Sequence, residues 1–535
     1  MFFKRLTLCL LCSVSLLHLW GQDSLLLRDF RFVLHDNAWL TSGNAAALST
    51  YSSRNISLAE ARLAVGRGGL VNYYDAASQL DASVSIASFY RLSPRVVAAG
   101  TISYDNWSGS DMTGSAFINP ERKPFNLVED SLTNSGDKHL DTYRLSGGVA
   151  FDVWRGMALG AHIDYTAANY AKYKDLRHKN KLMDLHLSAS IFAPVTPWLS
   201  LGAGYTYQVG TESITFGTYG KSEKVYKTLI DYGGFFGRVE QFGNEGYTDR
   251  SREMPLFEDG HGGQVQMELR PLAALSIMGG FGLSHTTGYY GRRSPYTPTY
   301  TAHKRNRREA RARVQYRHCA SRFSLDATYS KETLTNHAET FRELTNEGGA
   351  NYYEYYDPVE TADKTWKELQ LTATAQLAIR GELPTWSASV AYHWAKRRQT
   401  AYLYPFFRWQ QLSSNSLSVS LSRNLLTRSG VWTLTLNGAF LKGSGQPFRD
   451  FAFVTPSQGQ ELPATMEAFL WREYQYLTAA QYTIGGSVKY AFRFPGTQLK
   501  THAALSATHR KANQTFDYST GRDRTLLAVA IGCTF

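Results

Sequence analysis

Beyond its N-terminal leader the sequence never reaches the roughly 18 uninterrupted apolar residues of a membrane-spanning helix. It is equally short of cysteine. Of four cysteines, Cys9 and Cys12 fall in the leader, so only Cys319 and Cys533 remain. That excludes a disulfide framework and a cysteine-based metal motif, and leaves open one bridge between those two. Enzyme signatures are missing as well. There is no His-Glu-x-x-His, no phosphate-binding Walker loop, no paired Cys-x-x-Cys and no Gly-x-Ser-x-Gly. Gly279-Gly280-Phe281-Gly282 reads as a glycine-bearing strand, not a nucleotide loop. No catalytic residue and no cofactor or metal is expected from these motifs.

What the chain does have is aromatic side chains: 33 Tyr, 28 Phe and 11 Trp among 535 residues. Apolar residues make up an ordinary 43%. The formal charge is +12, with Lys4 and Arg5 in the leader. The remaining charges are scattered, which suits phosphate-rich lipid headgroups or an anion-attracting lumen better than nucleic acid. Residues 1–21 read as a signal peptide, with a basic start, an apolar run from Leu6 to Leu17 and a small residue, Gly21, before the expected cut. Residues 22–54 form an N-terminal periplasmic or luminal segment, a small plug. Residues 55–535 form the body.

The body repeats one unit: strand, short turn, strand, long loop. Tyr143, Leu145, Val149, Phe151 and Val153 alternate with polar or small residues, turn at Arg155-Gly156, and return through Met157, Leu159, Ala161, Ile163 and Tyr165. The same grammar recurs at Leu185 to Ile191, Val265 to Leu269, Leu369 to Ile379 and Tyr482 to Phe492. Each strand is read as about ten to twelve residues, enough for a tilted strand to cross a bilayer. Short turns fall near Pro94, Arg155, Pro194, Pro271, Ala320, Gly381, Leu426 and Pro495. Long loops are expected at 107–140, 168–181, 210–262, 286–307, 331–364, 441–473 and 511–523. This gives about 18 strands, within a range of about 14 to 20, with short periplasmic turns and long extracellular loops. Tyr104, Trp154, Tyr207, Trp366, Trp394, Trp432 and Tyr490 are read as girdle residues near strand ends.

The last strand carries the family resemblance. Thr525, Leu527, Val529, Ile531, Cys533 and Phe535 share one face, and the chain ends on the aromatic. In this the sequence resembles outer-membrane β-barrel proteins of Gram-negative bacteria. The resemblance implies a multi-pass, transmembrane, antiparallel up-and-down barrel, inserted by the barrel-assembly machinery through the strand ending at Phe535. An unpaired backbone amide in lipid costs several kcal/mol, so such a sheet must close on itself. The run Gly43-Asn44-Ala45-Ala46-Ala47-Leu48 is distantly similar to the Asn-Pro-Ala stretch of long-chain fatty acid channels, with Ala45 where that family has proline. No separate plug domain of about a hundred residues precedes the strands, which speaks against a TonB-dependent receptor.

Candidate chemistry lies on the polar faces. His162 and Asp164 point inward from one strand, Asp184 and His186 from the next, and a symmetric hairpin sets Asp164 opposite His186. Such a wall is a hydrogen-bond ladder or a divalent-metal site. Glu309, Arg311, Arg313 and Arg317 form an inward row, faced by Arg322 and Asp326. That row either selects anions or fills the lumen with salt bridges. The Lys304-Arg305-Asn306-Arg307-Arg308 run is placed at a loop-to-strand junction, in contact with lipopolysaccharide phosphates. Tyr352 to Asp357 lie in an outer loop open to a protein partner. The expected function is a passive channel or transporter for small solutes or hydrophobic compounds. The alternatives are a non-conducting partner in an envelope complex and a barrel-embedded hydrolase.

Overall fold

The computed structural model describes residues 24–129, 134–220, 223–243, 246–294, 297–460, 462–494 and 496–535. The expected leader and the turn at Pro495 lie outside the described residues. Eighteen strands form one antiparallel sheet. In chain order they are β1 (Ile56–Arg67), β2 (Ser78–Ser93), β3 (Val96–Met112), β4 (Gly136–Trp154), β5 (Met157–Lys172), β6 (Arg177–Thr196), β7 (Leu199–Gly217), β8 (Met254–Leu272) and β9 (Leu275–Ser294). They continue as β10 (Thr297–His318), β11 (Ser321–Ala338), β12 (Val359–Arg380), β13 (Leu383–Leu403), β14 (Phe406–Leu426), β15 (Gly430–Ala452), β16 (Gln481–Arg493), β17 (Lys500–Ala512) and β18 (Asp523–Thr534). Each pairs with its neighbours, and β18 pairs with β1 from Leu58↔Thr534 to Arg67↔Thr525. Phe535 finishes the seam: its N–H donates to Ser57 O and its carbonyl accepts from Ser57 N–H. The sheet is therefore a closed barrel with no free edge, the form lipid requires.

The pleat sorts the side chains. Leu63, Val84, Ile86, Leu145, Val149, Leu325, Val390 and Val529 are exposed on the outer wall at alternate positions. Their neighbours point into the lumen. Cys319 and Cys533 are both free.

The strands are longer than their apolar alternation implies. They run from 12 residues in β1 to 23 in β15, against the expected ten to twelve. A strand of β10's length, 22 residues, tilted about 40°, rises roughly 55 Å along the axis, about twice the ~25 Å apolar band. The excess lies at the end opposite the chain termini, here the loop end. It shortens the expected loops: within 286–307, residues 286–294 and 297–307 are strand, and 168–181 is mostly strand. Tyr104 and Tyr207 accordingly lie mid-strand. The turns after Pro194 and Pro271 come later than expected, at Pro197-Trp198 and Ala273-Ala274. Both earlier prolines sit beside register shifts, where a missing ladder N–H is tolerated.

The lumen is filled at two levels. At the turn end, Ser24 to Arg54 form a floor: a short helix α1 (Phe30–Asp36) and three 3-10 turns. Asp29 caps α1 by accepting from Phe32 N–H at 2.8 Å, and Asn44 caps Ala45–Thr50 by accepting from Ala47 N–H at 3.3 Å. At the loop end, inter-strand segments fold inward as a cap. Asn126–Glu129, Lys227–Gly233, Phe236–Gln241 and Ala464–Thr465 make a small sheet, joined by helix α2 (Glu467–Thr478). Thus much of what reads as extracellular loop in the sequence is luminal.

Candidate functional site

The floor is gripped by the wall. Gln264 Nε2 donates to Gly43 O (2.9 Å), Arg313 to His35 O (2.9 Å), Gln315 to Asp36 O (3.1 Å) and Arg317 to Asp36 O (2.6 Å). Lys500 Nζ donates to Leu26 O at 2.9 Å, and Arg322 to the Asp36 carboxylate at 2.8 Å. Most of these bonds run from a wall side chain to a floor carbonyl. Apolar support comes in three separate patches: Val33, Leu48 and Tyr51 on Phe89 and Val97; Trp39 and Ala46 on Phe192 and Met278; Leu26 on Leu383 and Val431. Gly160 permits the close seating, because a Cβ there would stand 2.1 Å from Ala46 N. His35 is held below the usual histidine range by burial, then by Arg313 and Arg322.

The cap is built differently. Phe117, Phe125, Leu127, Ile230 and Tyr247 pack on inward wall residues Ile214, Phe216, Met254, Leu256 and Tyr290 in one continuous cluster. Phe125 meets Tyr247 and Tyr290 edge-on at 5.1 and 5.0 Å. Ion pairs join cap to wall. Lys123 reaches Glu212 at 2.7 Å, Arg397 holds Glu473 of α2 in two hydrogen bonds, and Arg122 pairs with Glu368 and, at 3.6 Å, Glu332. Asp231 accepts from Gly233 N–H and Phe236 N–H at the cap's tight turn. Burial raises its carboxyl to about 6 against the pull of Lys364.

Between floor and cap lies a cavity of about 430 Å³. Strand β10 runs past all three levels, with a charged group at every inward position from Arg305 to Arg317 except Gln315. At the turn end, Arg317 and Arg313 hold the floor. Nearest the cap, Arg305 donates to Arg122 O (2.9 Å) and Glu258 (2.8 Å). Arg307, Glu309 and Arg311 line the cavity between, Arg307 bonding Glu309 at 2.7 Å and Arg311 bonding it from the other side. Both arginines keep side-chain surface free, at 43% and 54%. Asp326, Glu368, Gln266, Gln370 and His393 complete the lining. The balance is mixed: three guanidinium groups (Arg307, Arg311, Arg313) against three carboxylates (Glu309, Asp326, Glu368).

Of the residues expected to carry chemistry, Glu309, Arg311, Arg313 and Asp326 meet at this cavity, with Arg313 and Asp326 3.3 Å apart. Arg317 faces a second cavity at the turn end. His162, Asp164, Asp184 and His186 face the lumen elsewhere. Asp164 lies opposite His186 in register, but each imidazole bonds the carboxylate of its own strand, His162–Asp164 at 3.1 Å and His186–Asp184 at 3.2 Å. Among the described residues no three His, Cys, Asp or Glu converge on a metal-sized point.

Two sequence expectations are corrected. Trp366 is not a girdle residue. It lies on the inward face of β12, 5% exposed, with the Arg122 guanidinium 5.0 Å over its ring. Lys304 to Arg308 are not at a loop-to-strand junction but within β10, where the pleat sends Arg305 and Arg307 inward and Lys304 and Arg308 outward. Tyr352 to Tyr355 stay within the expected loop, as one arm of a hairpin with Phe341–Thr345. Glu332 and Glu368 were missed. The signal was present: each lies an odd number of positions from the outward residues Tyr329 and Leu369 of its own strand, and so must face in.

The closed, antiparallel, lipid-compatible sheet defines a membrane-spanning β-barrel. Residues 45–535 match the family described as "family of unknown function (DUF6850)", and the chain belongs to that family. No curated protein matches the sequence. Solved structures with a similar course include the outer-membrane transporter YddB from Escherichia coli (8% identity, 90% of this chain and 81% of that one, TM-score 0.41). The alcaligin outer-membrane receptor FauA from Bordetella pertussis is 11% identical over 90% of this chain and 76% of that one, with TM-score 0.39. The monoaromatic hydrocarbon channel CymD is 9% identical over 93% and 92%, with TM-score 0.30.

Proposed function

We propose that the chain is an outer-membrane transport barrel in its closed state, with turns and floor toward the periplasm and the cap toward the outside. The central cavity is its solute chamber. Paired guanidinium and carboxylate groups with amide and imidazole neighbours suit a small polar or zwitterionic solute, and a volume of about 430 Å³ sets its size. The observation that supports this reading is the bonding of the floor. Wall side chains hold floor carbonyls, and water can replace each of those bonds when the floor leaves. A released floor leaves a lumen lined by arginine, glutamate and glutamine.

The test is single-channel conductance in planar bilayers of the full chain and of one lacking residues 24–54. The full chain should give few or small steps and the shortened chain stable, larger ones. If the shortened barrel folds and stays silent, the cap alone seals the lumen. The non-conducting partner reading, with the cap as its outer surface, then takes over.

A further inference from the structure

Outside the barrel, at one level, four adjacent strands each present a cation. Arg308 of β10 is directly opposite Lys331 of β11, Lys331 is opposite Lys367 of β12, and Lys367 is opposite Lys396 of β13. Like charges placed directly across a strand pair repel. No hydrogen bond or ion pair joins any of the four to another described residue. The acids that could neutralise them are present in the sequence but point the other way. Arg308-Glu309, Lys331-Glu332 and Lys367-Glu368 are base–acid dipeptides, and the pleat sends every base outward and every acid into the lumen.

The row has a definite height. Two residues toward the turn end, the same strands show Ala310, Tyr329, Leu369 and Trp394, the upper margin of the apolar belt. Two residues the other way stand Asn306, Thr333, Thr365 and Arg398. Beside the row, a groove of about 700 Å³ is lined by Tyr205, His261, Leu283, His285, Arg308 and Lys331. It is open at Gly263, where a Cβ would meet nothing within 4 Å. Four unneutralised cations therefore sit where hydrocarbon gives way to headgroups, beside a slot with a partly apolar wall.

We propose that this row and groove form a binding site for a phosphorylated lipid of the outer leaflet, lipopolysaccharide: the cations bind its phosphates and the groove takes part of its acyl or glucosamine body. This rests on the outer-membrane placement proposed above. The row faces lipid, so its loss should leave the conductance of the barrel unchanged, and failure of one reading can be told from failure of the other.

The experiment is native mass spectrometry of the full chain with three probes: lipopolysaccharide, the same lipid with its phosphates removed, and phosphatidylglycerol. The wild-type barrel should hold lipopolysaccharide at least tenfold more tightly than R308Q/K331Q/K367Q/K396Q does. The lysine-to-arginine variant K331R/K367R/K396R should stay within threefold of wild type. The dephosphorylated lipid should bind the wild-type barrel at least tenfold more weakly than lipopolysaccharide does. That comparison uses wild-type protein and stands even if the glutamine variant does not fold. Equal binding of phosphorylated and dephosphorylated lipid overturns the proposal. So does phosphatidylglycerol displacing lipopolysaccharide at equal concentration, which would assign the row to any anionic headgroup.

Discussion

Floor and cap fill the same lumen with different balances of contact. Wall side chains hold backbone carbonyls of both and ion pairs reach both, but only the cap shares one continuous aromatic core with the wall. The floor offers backbone carbonyls to wall arginines, glutamines and a lysine, and its apolar contacts come in three patches. The cap shares one aromatic core with the wall and is pinned to it by the Arg397–Glu473 pair. Water can substitute for the first kind of contact but not for the second, because a dry core that opens must expose its aromatic surface. The difference teaches which level the proposed transport cycle would move: the cap packs as part of the barrel, and the floor is the level proposed to leave.

The largest effect should come from the cap. Arg397→Met strands Glu473, only 4% exposed, without the partner that bonds both its oxygens, and breaking such a pair costs about 3–5 kcal/mol. Thermal unfolding followed by gel mobility should show a large loss, and R397M/E473L should recover most of it. If R397M melts like wild type, the cap is not locked by that pair. A smaller effect is expected at the floor. Arg313→Gln with Arg317→Gln should speed proteolysis within residues 24–54 severalfold while leaving barrel melting in place. Parallel loss of both would erase the distinction between insert and wall.

Acidity should sharpen the contrast by a smaller amount. Asp231 has its folded value raised to about 6, above an ordinary carboxyl near 4. Its contribution to the cap is full below about pH 4 and is lost as pH rises through about 6. His35 has its folded value lowered by burial and by Arg313, so its contribution to the floor is full above its ordinary value near 6.5 and declines as pH falls below it. Lowering the pH from 7 to 5 should thus firm the cap and loosen the floor. Melting of Asp231→Asn should lose the cap's share of this dependence, and His35→Gln should flatten that of floor proteolysis.

The barrel was legible in the sequence because its wall obeys a local rule. Alternation along Tyr143 to Tyr165 or Leu369 to Ile379 needs no knowledge of distant residues, and closure follows from the cost of an edge in lipid. The strand ends were not legible for a reason equally local. On β12 the outward series Leu369, Lys367, Thr365, Asp363 leaves the apolar belt while pairing continues, so the alternation stops before the strand does. The cap escaped notice because its partners are far away: Arg122 meets Glu368 across 246 positions. At the central cavity, Glu309, Arg311, Arg313 and Asp326 could be read from parity, whereas the carbonyls that Arg313 and Arg317 hold could not, since backbone acceptors leave no mark on a side-chain pattern.

The Arg28 side chain donates to the carbonyls of Asn55 and Arg54, both at 2.9 Å, so the N-terminal insert is fastened to the residues at its own root beside the barrel seam. Tension applied at Ser24 would meet that clasp early and the Asp36 contacts with Arg317 and Arg322 later. Such an order amounts to unzipping, which needs less force than tearing every bond together. About thirty residues set free in this way would reach up to ~100 Å from their tether at Ile56.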